Sequence, residues 1–317
     1  MSTSNDAPEG TVDVSSELPT VDVVIATRDR PELLATALDA VWNQTYPGPI
    51  HCTVVFDQSP PRPELERSEP HRSVTVISNT RSPGLAGGRN SGIAAGTGDL
   101  VAFCDDDDEW MPTKVEKQVA GLRGSRALTS VTGIVVSYAD STVTRIPSPE
   151  HLELRELVRD RSMEAHPSTV MVRRSALEGP IGLVDEEIPG SYGEDFDWII
   201  RAAQAGSIDV VGEPLVKVLW GQSMFSQKWQ TIIDAIDYQL AKHPVFHEDP
   251  SALGRLYGRR SFALAALGST RPALRQAAQT VRVNPRERRA YLAAAVALKL
   301  VSAERLMAIA HRRGHGI

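Results

Sequence analysis

The chain has 317 residues, 41% of them hydrophobic and 23% charged, with a formal net charge of -6. This is the composition of an ordinary folded domain with room for an appendage. No run approaches the ~18 apolar residues of a membrane-crossing helix, and two cysteines, Cys52 and Cys104, each inside an apolar run, exclude a disulfide framework and a Cys-based zinc site.

The polar, acidic stretch 1–19 lacks the basic-then-apolar pattern of a secretory signal and reads as a disordered lead-in. With reduced cysteines this points to a cytoplasmic compartment. Val21-Asp22-Val23-Val24-Ile25-Ala26 is the first strand signal. Asp29-Arg30-Pro31-Glu32 then starts a helix, with an acidic cap and a proline in the first turn. Leu33, Leu34, Ala37, Leu38, Val41 and Trp42 follow at helical spacing. Further strands are expected at 52–56, 74–77 and 100–104, with a helix over 84–96 despite its glycines. Near-continuous apolar strands separated by helices predict a mostly parallel sheet covered on both faces. Strands at 129–138 and 168–173 and a helix at 196–205 extend the same domain, which is expected to span 20–226. A C-terminal helical extension, 227–317, follows, with Ala-rich stretches at 261–268, 272–282 and 287–300 but no clean 34-residue repeat.

The charge is unevenly spread. From Pro250 to Ile317 there are thirteen Lys and Arg against two Asp and Glu, while the remaining 249 residues carry 21 basic and 38 acidic. Such a contrast predicts different partners for the two parts. The basic helices fit either contact with an anionic membrane leaflet or a cap whose arginine stems cover apolar surface. Nucleic acid is not an expected partner, because the larger part is acidic and aromatics are sparse.

In open α/β sheets ligands bind beyond the carboxyl ends of the strands. That rule selects Thr27 and Arg28, Asp57, and the run Asp105-Asp106-Asp107-Asp108. Four adjacent carboxylates repel and raise one another's pKa. A hard divalent cation, Mg²⁺ or Mn²⁺, bridging them to a diphosphate resolves the conflict. The alternative is a solvated acidic turn, or the cap of a helix starting near Met111-Pro112, a reading that applies most to Asp108 and Glu109.

Five ordered pieces carry a resemblance: Val23-Val24-Ile25-Ala26-Thr27-Arg28-Asp29-Arg30-Pro31; Val54-Val55-Phe56-Asp57-Gln58-Ser59; Gly84-Leu85-Ala86-Gly87-Gly88-Arg89-Asn90-Ser91-Gly92; Gly98-Asp99 through Asp105-Asp106-Asp107-Asp108-Glu109-Trp110; and Gly193-Glu194-Asp195-Phe196-Asp197-Trp198. Over roughly Val21 to Leu219 the chain resembles family 2 glycosyltransferases, inverting enzymes with a GT-A nucleotide-sugar-binding fold and an Asp-x-Asp motif. The resemblance implies that Thr27 and Asp57 hold the nucleobase, that Arg89 lies near the base or phosphates, and that Asp105 and Asp106 contact the ribose. It makes Asp107, with Asp105, the metal ligand and Asp195 the base. Structural alternatives stay open: Asp57 as a strand-end turn, Arg89 as a surface arginine, and Glu194-Asp195 as a pair complementing a helix dipole.

Glu194, Trp198, Trp220 and His166 are candidates for the acceptor site, with Trp198 equally suited to a core and a lone His often structural. Many relatives have a His near Trp220 that helps hold metal or diphosphate. This chain has none there, leaving Gln222 or Ser223 as substitutes, or a metal held only by the acidic cluster and the phosphates. The expected activity is transfer of a sugar from a UDP-, dTDP- or GDP-sugar to a hydroxyl acceptor, such as a lipid-linked glycan of a cell-envelope polysaccharide, on the cytoplasmic membrane face. The rivals are a nucleotidyltransferase acting on a sugar phosphate and a catalytically inactive nucleotide-sugar-binding protein.

Overall fold

The computed structural model describes residues 18–138, 141–161, 165–219 and 228–312. Trp220, Gln222, Ser223 and nearly all of the polar lead-in lie outside the described residues.

The first strand sets the layers. β1 (Val21–Thr27) is buried along its whole length. Val21, Val23 and Ile25 enter one core while Val24 enters another. A strand that is apolar on both faces needs cover on both. The chain supplies it by alternation: α1 (Pro31–Trp42), β2 (Ile50–Phe56), β3 (Arg67–Glu69), β4 (Arg72–Ser78), α2 (Leu85–Ala95), β5 (Leu100–Phe103), β6 (Glu109–Trp110) and α3 (Lys114–Gly124). β7 (Thr129–Tyr138), β8 (Ser141–Arg145), α4 (Leu154–Arg159), β9 (Met171–Arg173), α5 (Arg174–Leu177), α6 (Glu194–Ala205) and β10 (Ile208–Leu219) complete the sheet layer. α7 (Trp229–Lys242), α8 (Val245–Glu248), α9 (Pro250–Ala266), α10 (Thr270–Val283), α11 (Arg288–Ala297) and α12 (Ala303–Arg312) form the C-terminal extension.

The strands form one sheet in the order β3-β4-β2-β1-β5-β9-β7-β10-β6, with β8 paired to β7. β4, β2, β1 and β5 run parallel, and β9 is antiparallel to both β5 and β7. The expected parallel core flanked by helices is therefore present, and antiparallel strands complete it. Residues of α1 and α3 pack on one face, and residues of α2, α6 and α7 on the other. In this register Thr27 pairs with Phe56 and Val24 with Phe103. The chain beyond each strand, at Arg28, Asp57 and Asp105, thus emerges on one edge.

α2 explains its own glycines. Ala86 to Ile93 are all buried, and a Cβ on Gly92 would lie 2.3 Å from Val24 Cγ1. Only a helix stripped of side chains on that face sits so close to β1.

Three elements differ from expectation. The helix predicted near Met111 begins at Lys114, with Thr113 before it, so Asp108 is not its cap. The strand predicted over 168–173 is a 3₁₀ turn, Pro167–Thr169, followed by the short β9. Pro167 opens the turn because its fixed φ suits a first helical position. β10, the longest strand, is interrupted by Gly212-Glu213-Pro214, where the pairing to β7 shifts register.

The boundary expected at 226/227 is not a break in packing. Ile232, Ile233 and Ile236 of α7, Phe246 of α8 and Leu256 of α9 share one core with Phe196, Trp198 and Ile199 of α6. Fully buried Asp197 also pairs with Arg201 at 2.9 Å, Lys242 at 2.7 Å and His243 at 2.7 Å, tying α6 to α7. The last three helices close a smaller cluster around Phe262, Ala273, Ala293 and Ala303. No helix among the described residues is long and apolar enough to cross a membrane.

Candidate active site

Thr27 ends β1, and its Oγ1 donates to Asp106 Oδ2 at 2.7 Å. The Arg28 backbone also hydrogen-bonds Asp106, while the Arg28 side chain is exposed. Asp29 then adopts a positive φ of 53°. The turn brings Arg30 back over the acidic run, where Nη1 lies 3.2 Å from Asp106 Oδ1 and 2.8 Å from Asp107 Oδ2. The loop after β1 and the loop after β5 are thus joined by a hydroxyl and a guanidinium.

Asp57 is buried, and its backbone N–H donates to Thr27 O at 2.9 Å. Its carboxylate accepts from Asn79 Nδ2 at 2.8 Å and from the Gly84 N–H at 3.0 Å. It therefore holds together the loops after β2 and β4 and the start of α2.

Arg89 links the two acidic sites. It is 4% exposed, with Nη2 2.7 Å from Asp105 Oδ1 and Nη1 2.6 Å from Glu194 Oε1. Burial opposes ionisation of Asp105, but the charges of Arg89 and His166 outweigh it and hold that carboxyl below its ordinary value. Burial pushes Glu194 up to about 7, even with Arg89 beside it.

The other aspartates move the opposite way. Burial raises Asp106, raises Asp107 with help from the charges of Asp105 and Asp106, and raises Asp108 well above the usual carboxylate range. Ser168 Oγ donates to Asp108 and accepts from the Asp105 N–H at 2.9 Å. His166 Nδ1 stands 3.3 Å from Asp108 Oδ2, and Nε2 stands 3.9 Å from Asp105 Oδ2. Asp105, Asp108 and His166 each offer a ligand atom within 4.8 Å of the others.

This donor set fits a divalent cation: the oxygens of Asp105, held below its ordinary value, and of Asp108, held above it, beside an imidazole whose pKa burial lowers. It differs from the set expected by sequence. Asp108 and His166 stand with Asp105, whereas Asp107 is paired with Arg30.

Glu194 and Asp195 begin α6, where the helix dipole favours their charge. Asp195 Oδ2 is paired with Arg161, an arginine that sequence reasoning passed over because residues 155–161 carry no motif. A small cavity is lined by Asp195, Glu194, Arg89, Phe103 and Trp198. Trp198, considered above for a sugar-facing role, is 4% exposed, stacks edge-on against Phe103 at 6.2 Å and donates Nε1 to Gly182 O at 3.3 Å. It is part of the core beneath the site. Arg30, beside Asp29 in the first resembling stretch, and Ser168, at the start of the expected strand 168–173, carry no role that the sequence assigns.

Comparison with known proteins bears on the family and the fold. Residues 22–179 match the family model described as glycosyl transferase family 2. The uncharacterized glycosyltransferase YwdF of Bacillus subtilis is 27% identical over 187 residues, 58% of this chain and 68% of YwdF. S. aureus TarS residues 1–349, crystallised with UDP-GlcNAc, superposes with a TM-score of 0.59 at 16% identity, covering 93% of this chain and 92% of that one. The mannosyltransferase PcManGT of Pyrobaculum calidifontis, in complex with GDP-Man and Mn²⁺, gives a TM-score of 0.53 at 18% identity, covering 92% and 83%. The fold is therefore of the GT-A kind, and the chain belongs to glycosyl transferase family 2.

Proposed function

We propose that the protein transfers a sugar from a nucleotide diphosphate donor to a hydroxyl acceptor, with inversion and with a bound Mn²⁺ or Mg²⁺. One observation carries this reading: Arg89 joins Asp105 of the acidic run to Glu194 of the Glu194-Asp195 pair across a single crevice. The chemistry needs both halves. A donor site must hold the nucleotide and its diphosphate, and a separate carboxylate must take the acceptor proton.

Thr27, Asp57 and the Arg28 loop are assigned to the nucleobase side, and Asp105 and Asp106 to the ribose. Asp105 and Asp107 are the proposed metal ligands, and the closeness of Asp108 and His166 to Asp105 favours a second set, Asp105-Asp108-His166. When bound, the metal neutralises charge developing on the departing diphosphate. Asp195 accepts the proton of the attacking hydroxyl. Arg161 orients that carboxylate, and Glu194, held by Arg89, lies beside it to hydrogen-bond a sugar hydroxyl. His166 faces the same space. Trp198 supports the site from below.

A nucleotidyltransferase would also use acidic residues on an α/β sheet, but it has no need of a base at the start of α6. Product analysis separates the two: release of nucleoside diphosphate supports glycosyl transfer, and release of pyrophosphate contradicts it. An inactive binding protein would bind donor without turnover.

The acceptor is proposed to be a glycan, glycolipid or natural product met at the inner membrane face. Exposed arginines on α10 and α11 (Arg271, Arg275, Arg282 and Arg288) and exposed Tyr291, Leu298, Leu300 and Ile309 support peripheral attachment of the cytoplasmic protein there.

A further inference from the structure

Four arginines cluster beside Asp195. Arg161 follows α4, Arg255 and Arg259 lie one turn apart on α9, and Arg289 opens α11. Arg161 and Arg255 both sit over the Phe196 ring, at 5.8 and 5.1 Å, and Arg259 sits over Tyr192 at 5.6 Å and donates to its hydroxyl. Arg255 is only 8% exposed, and it spends Nη2 on the Val158 carbonyl at 3.0 Å. The Nε atoms of Arg255 and Arg289 are buried without a hydrogen-bond partner among the described residues.

Among the described residues, nearby carboxylates do not settle this charge. Asp195 is taken by Arg161, Glu194 by Arg89, and Glu287 by Arg289 and by the cap of α11. Asp160 is exposed. Burial, then the charges of Arg259, Arg161 and Arg289, pull Arg255 down to about 9. A guanidinium keeps its proton at neutral pH, so the crowding persists as repulsion until an anion relieves it. Planar guanidinium forks suit phosphate oxygens.

We infer that Arg161, Arg255, Arg259 and Arg289 form a subsite for a phosphate or diphosphate group of the acceptor. Because Arg161 reaches Asp195, the phosphate and the attacking hydroxyl belong to neighbouring positions of one molecule. This deepens the transfer reading given above and rests on Asp195 marking the acceptor side. The phosphate could be borne by a lipid diphosphate or by a soluble polyol or sugar phosphate.

The test is calorimetric titration of the full chain, with EDTA and without donor, so that transfer itself is not measured. The probes are inorganic pyrophosphate, glycerol phosphate, and vesicles of neutral lipid with or without a polyprenyl diphosphate. Binding is expected to weaken at least about tenfold in Arg255→Gln and in Arg259→Gln, and to be unchanged in Arg126→Gln, which removes an exposed arginine between α3 and β7. The probe bound tightest identifies the source of the phosphate. Should Arg255→Gln fail to fold, Arg289→Gln, at the rim, reports the same loss. Absence of binding to every probe, or equal binding in all variants, overturns the inference. UDP-sugar turnover, measured separately, would still report whether the transfer reading holds.

Discussion

Arg89 Nη1 lies 2.6 Å from Glu194 Oε1, in a pair that is almost fully buried. One guanidinium therefore fixes the helix carrying Asp195 against the loop carrying Asp105. Removing one partner of a buried pair leaves an uncompensated charge, at a cost of roughly 3–5 kcal/mol. Arg89→Ala is expected to lose about that much stability in urea unfolding. Arg89→Lys should recover little, because an ammonium does not fork to two carboxylates. Full rescue by lysine would contradict a bridging role.

Asp195→Asn keeps the size and most hydrogen bonds of the side chain but takes no proton. Turnover with the correct acceptor should fall by about 10²–10⁴, with the melting temperature within a few degrees of wild type. Unchanged turnover would mean that another group is the base.

The two proposed ligand sets are separable. Mn²⁺ affinity, read by calorimetry with UDP present, should collapse in Asp105→Asn under either. Loss in Asp107→Asn with little change in His166→Gln supports Asp105 and Asp107. The reverse pattern supports Asp105, Asp108 and His166. Turnover that survives EDTA would contradict both.

Asp197 predicts a pH dependence. Burial works against its charge, but the His243 hydrogen bond and the charges of Arg201 and Lys242 hold its pKa at about 2, against about 3.9 in an unfolded chain. A lowered carboxyl stabilises the fold above its unfolded pKa, and that contribution is lost as pH falls from about 4 through 2. Asp197→Asn should therefore be destabilised at pH 7, and the gap to wild type should shrink through this window. Circular dichroism at a series of pH values reads this out. A gap independent of pH would rule out the ion network as its source.

Exposed arginines on α10 and α11, with exposed Leu298 and Leu300 in the turn before α12, predict vesicle binding. In flotation assays the protein should rise with vesicles containing anionic lipid and be released by salt. Flotation that ignores lipid charge would remove the membrane assignment.

Much of the frame was legible because β1, β2 and β5 are short apolar runs and α1 has a proline-marked start. What stayed hidden has physical causes. β10 is broken by Gly212 and Pro214, and β6 is only two residues, Glu109–Trp110. Both depend on pairing partners distant in sequence. At the site, the residue types at strand ends could be read, but their pairings could not. Nothing local says that Arg30 turns back onto Asp107, that Arg161 meets Asp195, or that α9 brings Arg255 to the same place. Trp198 had two readings at one spacing, and burial against Phe103 favours the core.

The most direct test is to incubate the protein with Mn²⁺, a panel of UDP-, dTDP- and GDP-sugars and phosphate-bearing hydroxyl acceptors, following phosphorus and anomeric protons by NMR. The account predicts nucleoside diphosphate release matched to a glycoside of inverted configuration, both abolished in Asp195→Asn. Pyrophosphate release, or a product that retains the donor's configuration, would contradict it.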